Sequence, residues 1–235
     1  MTTVREPSRL IIAIDGPVGA GKSTAARLLA KRLGCRYIDS GAMYRALAWR
    51  ALQAGLALDD ERGLMRLVGD TSITVECLHG GVEVLVDGKE VNRQIRTPEV
   101  EQASSKISTL AGIRRVMVAR QREMASQGRV VMDGRDIGTV VFPDADVKFY
   151  LDARLEERVK RRYLEAQAPR GAGELERLTE EVKMRDARDI ERGASPLRKA
   201  DDAVTIDTTD LDVLQVVAAM ENEINHRVGG VEGSP

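Results

Sequence analysis

The chain of 235 residues is 43% hydrophobic and 31% charged, a composition that suits one large or two small soluble domains around a buried core. Its 36 basic and 37 acidic residues leave a net charge of −1. That excludes the general basic excess of a nucleic-acid binder, but not a local basic pocket for a small anion. Two cysteines, Cys35 and Cys77, with no CxxC pair and few histidines, argue against a disulfide scaffold or a zinc site; they read as ordinary semi-buried thiols of a reducing cytoplasm.

In chain order, MTTVREPSR at the start has no signal-peptide hydrophobic region, and no apolar run reaches membrane-spanning length. A cytoplasmic protein is expected. The continuous apolar run LIIAI, residues 10–14, predicts a strand buried on both faces. After a glycine-rich turn, KSTAARLLAKRLG places Ala25, Leu28, Leu29 and Leu33 at helical spacing, and Gly34 is a natural stop. RYID reads as a second strand and runs into the helical SGAMYRALAWRALQAG. Residues 71–91 change character: SITVEC, VEVLV and KEV, separated by HGG and DG, predict a small antiparallel insert. A helical region follows from about Pro98 to Gln127, punctuated by Gly112. VVM (130–132), VKFYL (147–151) and AVTID (203–207) are further buried-type strands. A long charged helical stretch separates the last two, LDVLQVVAAMENEI forms the final helix, and GGVEGSP reads as a disordered tail. Short apolar strands alternating with helices predict an α/β fold with a parallel sheet covered on both faces. In such sheets ligands bind at the carboxyl ends of the strands.

GPVGAGKS, residues 16–23, fits G-x-x-x-x-G-K-[ST] between that first strand and helix. The glycines let the backbone fold tightly enough for several N–H groups to face one phosphate, and the helix adds its positive end. Gly16, Pro17, Val18, Gly19, Ala20, Gly21, Lys22, Ser23 and Thr24 are therefore expected to bind ATP. Lys22 can reach the β and γ phosphates, and the Ser23 hydroxyl can ligand Mg²⁺. A GTPase would need a guanine-reading N-K-x-D segment, which does not occur, and motor ATPases are usually larger. A small-molecule kinase needs a second pocket for an acceptor. If that acceptor is itself a phosphate, arginines should converge on it, because their forked donors match phosphate oxygens.

RDARDIERG, residues 185–193, is either a solvated charged face or part of such a pocket. Leu175, Leu178 and Val182 form an apolar stripe that continues at the same spacing through Arg185, Asp189 and Arg192, with Arg188 at its edge. Charge on the inward stripe must be paired or occupied by ligand. DSGAMYR (39–45) brings Ser40, Tyr44 and Arg45 to the end of the second strand, where Asp39 or Ser40 can also cap the helix. MDGRDIG (132–138) puts Asp133, Arg135 and Asp136 at the end of another strand. ARLEERVKRRYLEAQ (153–167) carries Arg158 and Arg162 at i and i+4, a spacing that a surface ion-pair helix with Glu156, Glu157 and Glu165 explains by itself.

The set IDGPVGAGKST, YIDSGAMYRALA, IRTPEVEQASSKIS, VVMDGRDIGTVVFPDADVKFYLDA and RDARDIER closely resembles the bacterial cytidylate kinases from about residue 10 to about 227. The resemblance implies the P-loop nucleoside-monophosphate kinase fold, with a five-stranded parallel core, a monophosphate-binding insert and a short lid. It divides the chain into a core (1–70 and 95–228), a β insert (71–94), a lid (about 154–172) and a tail (229–235). It implies that Arg45, Arg135 and Arg192 hold the acceptor phosphate. Ser105, Arg114 and Asp136 would read the cytosine edge, Arg185 and Asp189 would contact the sugar, and Ser40 and Tyr44 would line the pocket. Lys22, Arg135 and Arg192, with Arg158 and Arg162 from the lid, would act on the transferring group. The implied reaction is ATP with CMP or dCMP, assisted by Mg²⁺, in pyrimidine nucleotide metabolism, by a monomer that uses neither nucleic acid nor membrane. Cytosine chemistry agrees independently: its N4 amine donates to a carboxylate such as Asp136, whereas uracil would oppose O4 to it. A kinase of the same fold with another small acceptor, and a nonenzymatic nucleotide switch, are the alternatives.

Overall fold

The computed structural model describes residues 9–78, 81–126, 128–165 and 173–229. The elements run β1 (Leu10–Asp15), α1 (Lys22–Arg32), β2 (Arg36–Asp39), α2 (Ser40–Gln53), α3 (Glu61–Asp70), β3 (Ile73–Leu78), β4 (Gly81–Val86) and β5 (Lys89–Glu90). They continue with α4 (Pro98–Ile107), α5 (Ala111–Met124), β6 (Arg129–Asp133), β7 (Val147–Asp152), α6 (Leu155–Glu165), α7 (Glu174–Glu191), β8 (Val204–Asp207) and α8 (Val213–Gly229). β1 lies at the centre of a five-stranded sheet ordered β2–β6–β1–β7–β8, with every neighbouring pair parallel. A separate antiparallel sheet, β3–β4–β5, forms the expected insert.

β1 reads as an unbroken apolar run because both faces of the sheet are covered. Ile11 and Ala13 belong to a core with Ile38, Met43, Leu47 and Met132, on the side of α2, α3, α4 and α5. Leu10, Ile12 and Ile14 alternate to the other face, against Ala25 and Leu29 of α1 and Val217 and Met220 of α8. Each fully buried side chain of this kind contributes about 1.5–3 kcal/mol of burial.

Three features differ from the sequence expectations. Helix α3 was not anticipated: Asp60 caps it, accepting from the Gly63 amide at 2.9 Å, and Leu64 and Val68 are buried. Gly63 and Gly69 dilute its helical signal. The long charged stretch is two helices, α6 and α7, joined by residues outside those described. Leu175 does not belong to the buried stripe. It is 50% exposed in the first turn of α7, beyond the cluster in which Leu178 and Val182 pack on Val18 and Val159. The stripe holds further along, where Asp189 and Arg192 are buried. Among the described residues no helix is long and apolar enough to cross a membrane. The expected tail lies outside the described residues from position 230, as does the Cys77 side chain.

Candidate active site

The glycine turn leaves β1 and delivers the chain to α1 across the carboxyl edge of the sheet. Gly16 has φ +144, and a Cβ there would stand 1.9 Å from the Leu151 carbonyl oxygen, so only glycine lets the loop lie on β7. Gly21 is left-handed (φ 83) and caps α1 without a side-chain hydrogen bond, leaving first-turn amides available to a ligand. Lys22 Nζ donates to the Pro17 carbonyl at 2.6 Å. Burial, then repulsion from Arg135, pulls the Lys22 amine down to about 7, so an incoming phosphate would hold it protonated.

Next to this loop, Ser23 Oγ donates to Asp133 Oδ2 at 2.8 Å, and the Tyr37 hydroxyl donates to Asp133 Oδ1 at 2.6 Å. Burial, then the charge of Asp39, pushes Asp133 up to about 6. Asp39 does two jobs at the start of α2: it accepts from the Ala42 amide at 2.8 Å and pairs with Arg45 at 3.0 Å. Ser40 Oγ donates to the Asp133 carbonyl at 2.6 Å, which ties α2 to the end of β6. The turn after β6 carries Arg135 and Asp136. Arg135 Nε lies 2.8 Å from Asp189, and Asp136 takes the buried Arg114 on one oxygen and Arg192 at 3.5 Å on the other. Arg192 also reaches Asp189 at 3.7 Å, so these two carboxylates link guanidinium groups from α5, the β6 turn and the end of α7. Arg185 pairs with Glu101 at 3.4 Å, and Arg162 pairs with the same carboxylate. Burial and nearby Arg135 lower Arg185 to about 10, which leaves it charged at neutral pH.

Three buried polar atoms here complete no hydrogen bond: the Tyr44 hydroxyl, Arg45 Nε and Arg114 Nε. Buried donors are normally satisfied, so orphans gathered in a cleft point to a ligand. Burial pushes the Tyr44 hydroxyl up to about 12, so it stays protonated. Arg114 stacks over its ring at 5.6 Å from the centroid.

One continuous cavity collects these groups. It is lined by Val18, Gly19, Gly21, Lys22, Ser23 and Thr24 of the loop and by Ser40, Tyr44, Arg45, Ser105, Arg114, Arg135, Asp136, Arg162, Arg185, Asp189 and Arg192. Gly16, Pro17 and Ala20 of the loop lie behind it, as does Arg158. Ala20 is fully buried, with its carbonyl accepting from Thr208 Oγ1 at 3.1 Å. Arg158 donates to the Ala153 carbonyl at 3.0 Å and the Val18 carbonyl at 3.1 Å and pairs with Asp186. In the sequence Asp39 has only a capping role, Asp133 only a strand-end place and Glu101 no role, yet all three also line the cavity. The strand-end position of Asp39 and Asp133 was a usable signal. Glu101 had none, because only the tertiary fold brings it within ion-pair reach of Arg162 and Arg185.

The phosphate loop implies a divalent cation beside the triphosphate, and the donors next to the loop suit one. Ser23 and Asp133 offer hard oxygen ligands, and no cluster of three or more metal-binding side chains occurs among the described residues. That fits an ion held by one or two protein oxygens plus nucleotide phosphates rather than an all-protein cage.

The family model for cytidylate kinase matches residues 12–226. The chain belongs to the cytidylate kinase family. A cytidylate kinase from Geobacillus thermodenitrificans (strain NG80-2) is 51% identical over 221 residues, covering 94% of this chain and 99% of its own. Another, from Geobacter sp. (strain M21), is 46% identical over 228 residues, 97% of each chain. The solved structure of a shikimate kinase from Bacteroides thetaiotaomicron covers 92% of this chain and 98% of its own with a TM-score of 0.50 at 13% identity, a likeness of fold alone. The matched range contains the elements that surround the cavity, from the phosphate loop to the end of α7.

Proposed function

We propose that the protein transfers the γ-phosphoryl group of ATP to CMP or dCMP, giving ADP and CDP or dCDP, with the cavity lined by Lys22 and the acceptor arginines as its active site. The observation that carries this is continuity: the phosphate loop and the arginine cluster open into one cavity, so donor and acceptor phosphates can meet in line. Residues Gly16 to Thr24 bind ATP, with the loop amides and Lys22 holding its phosphates. Arg45, Arg135 and Arg192 grip the CMP phosphate, and Asp136 accepts from the cytosine amine with Ser105 and Arg114 beside it. Arg185 and Asp189 face the sugar, and Ser40 and Tyr44 close the pocket wall. A monophosphate is already an anion at neutral pH, so no side-chain base is required. What the site must supply is cancellation of repulsion between two polyanions.

Ser23, with Asp133 behind it, would hold Mg²⁺. The ion would neutralise charge on the bound triphosphate. Arg162 lines the cavity and is the lid arginine best placed to meet the transferring group, whereas Arg158 supports the loop from behind. The active form is taken to be a cytoplasmic monomer. Coupled measurement of ADP formation with a panel of acceptors tests the reading: CMP and dCMP should turn over far faster than UMP, AMP or shikimate. A preference for any of the other acceptors would overturn it.

A further inference from the structure

β1 reaches the acceptor side of the cavity through its last residue. Asp15 is 4% exposed and does not line the cavity. Its Oδ1 accepts from the Ile137 amide at 2.8 Å and its Oδ2 from the Gly138 amide at 2.7 Å, across more than a hundred residues of chain. Those amides begin the π-helical turn Ile137–Val141, whose capping residue is Asp136. A second bond from β1 grips the same turn: the Gly134 amide donates to the Ile14 carbonyl at 2.9 Å. Arg135 and Asp136 are therefore clamped between two attachments to the strand that carries the phosphate loop. Gly138 fits closely, since a Cβ there would come within 3.4 Å of Asp15 Oδ2 and 3.1 Å of Lys148 Cδ.

We propose that Asp15 is a specificity-positioning residue: its two amide hydrogen bonds hold the turn so that the Asp136 carboxylate stays in register with the edge of the acceptor base. The inference rests on the reading of Asp136 as the group that meets the cytosine amine. A carboxylate discriminates a donor from an acceptor only if it cannot swing away from the wrong base. Asp136 also carries Arg114 and Arg192, so a loosened turn would let all three drift together. The residue before the phosphate loop would then set acceptor choice without touching the acceptor.

The test is the ratio of kcat/KM for CMP to that for UMP in the parent, Asp15→Asn, Asp15→Ala and Asp136→Ala. This ratio does not depend on how much of a variant is folded, because both substrates report on the same active molecules. Asp15→Ala should lower it about tenfold and Asp15→Asn, which keeps one good acceptor, by less, while the KM for ATP stays within about twofold. Should Asp15→Ala fail to fold, Asp15→Asn alone decides the point. If Asp136→Ala lowers the ratio but the Asp15 variants keep that of the parent, the positioning role is overturned while the base reading stands. If Asp136→Ala leaves the ratio unchanged, the base reading itself fails. Equal losses of kcat for both nucleotides in the Asp15 variants would mark a merely structural residue and also overturn the inference.

Discussion

Lys22 in the cavity and Asp15 behind it illustrate how burial poises single side chains. Replacing Lys22 by Ala should reduce kcat by about 10²-fold or more while leaving the CMP Kd within about twofold, measured by steady-state kinetics and calorimetry. Unchanged turnover would remove Lys22 from the donor site. Asp15 yields a pH prediction. Burial outweighs its two amide hydrogen bonds and pushes it up to about 7. Its folded pKa thus lies above that of an exposed aspartate, so folding favours the protonated form. The stability it contributes is complete below about pH 4 and is lost as the pH rises through about 7. Asp15→Asn cannot titrate, so the Tm of the parent minus that of the variant should shrink from pH 5 to pH 8 in thermal melts. A constant or widening gap would refute it. Phosphate-loop residues were legible in the sequence because their spacing is itself the chemistry. Glu101 was not, because only the tertiary fold brings it to Arg162 and Arg185.

Elements were legible in proportion to how far local pattern alone determines them. Every strand of the parallel sheet was anticipated: the three inner ones because burial on both faces leaves an apolar run, the edge strands β2 and β8 on shorter and less buried segments. Each of these five strands ends in an aspartate: Asp15, Asp39, Asp133, Asp152 and Asp207. Asp39, Asp152 and Asp207 take amides within the next three residues, as expected where a strand turns sharply. Asp15 and Asp133 reach across the sheet edge instead, Asp15 to the turn after β6 and Asp133 to Ser23 and Tyr37. Helix α3 was missed because two glycines in ten residues obscure it, although Leu64 is fully buried against the α2 and α5 side. Leu64→Ala should therefore cost about 2–5 kcal/mol, read as a lower denaturant midpoint with an unchanged m-value. A loss below half a kcal/mol would mean that α3 is peripheral to the core. The π-helical turn at Ile137–Val141 had no periodic signature, and its first two amides are held by Asp15 from across the sheet.

At the scale of the molecule, seven basic and six acidic side chains line one cavity, so its arginines are balanced by internal carboxylates before any nucleotide arrives. Substrate phosphates would therefore meet guanidinium groups already paired with Asp189 and Glu101. A bisubstrate analogue joining adenosine and cytidine through five phosphates should compete with both ATP and CMP, and should raise the Tm more than the two nucleotides together. Competition with ATP alone would mean that the two sites are separate. The sequence by itself determined the parallel α/β architecture, the donor loop and the family, because burial period and phosphate chemistry are written in short contiguous segments. Only the tertiary structure decided which charges meet. Arg114, Arg135 and Arg192 come from segments far apart in the chain, and Asp136 and Asp189 join them where the β6 turn, α5 and α7 converge. Pairing between distant side chains depends on three-dimensional distance, which no local spacing encodes.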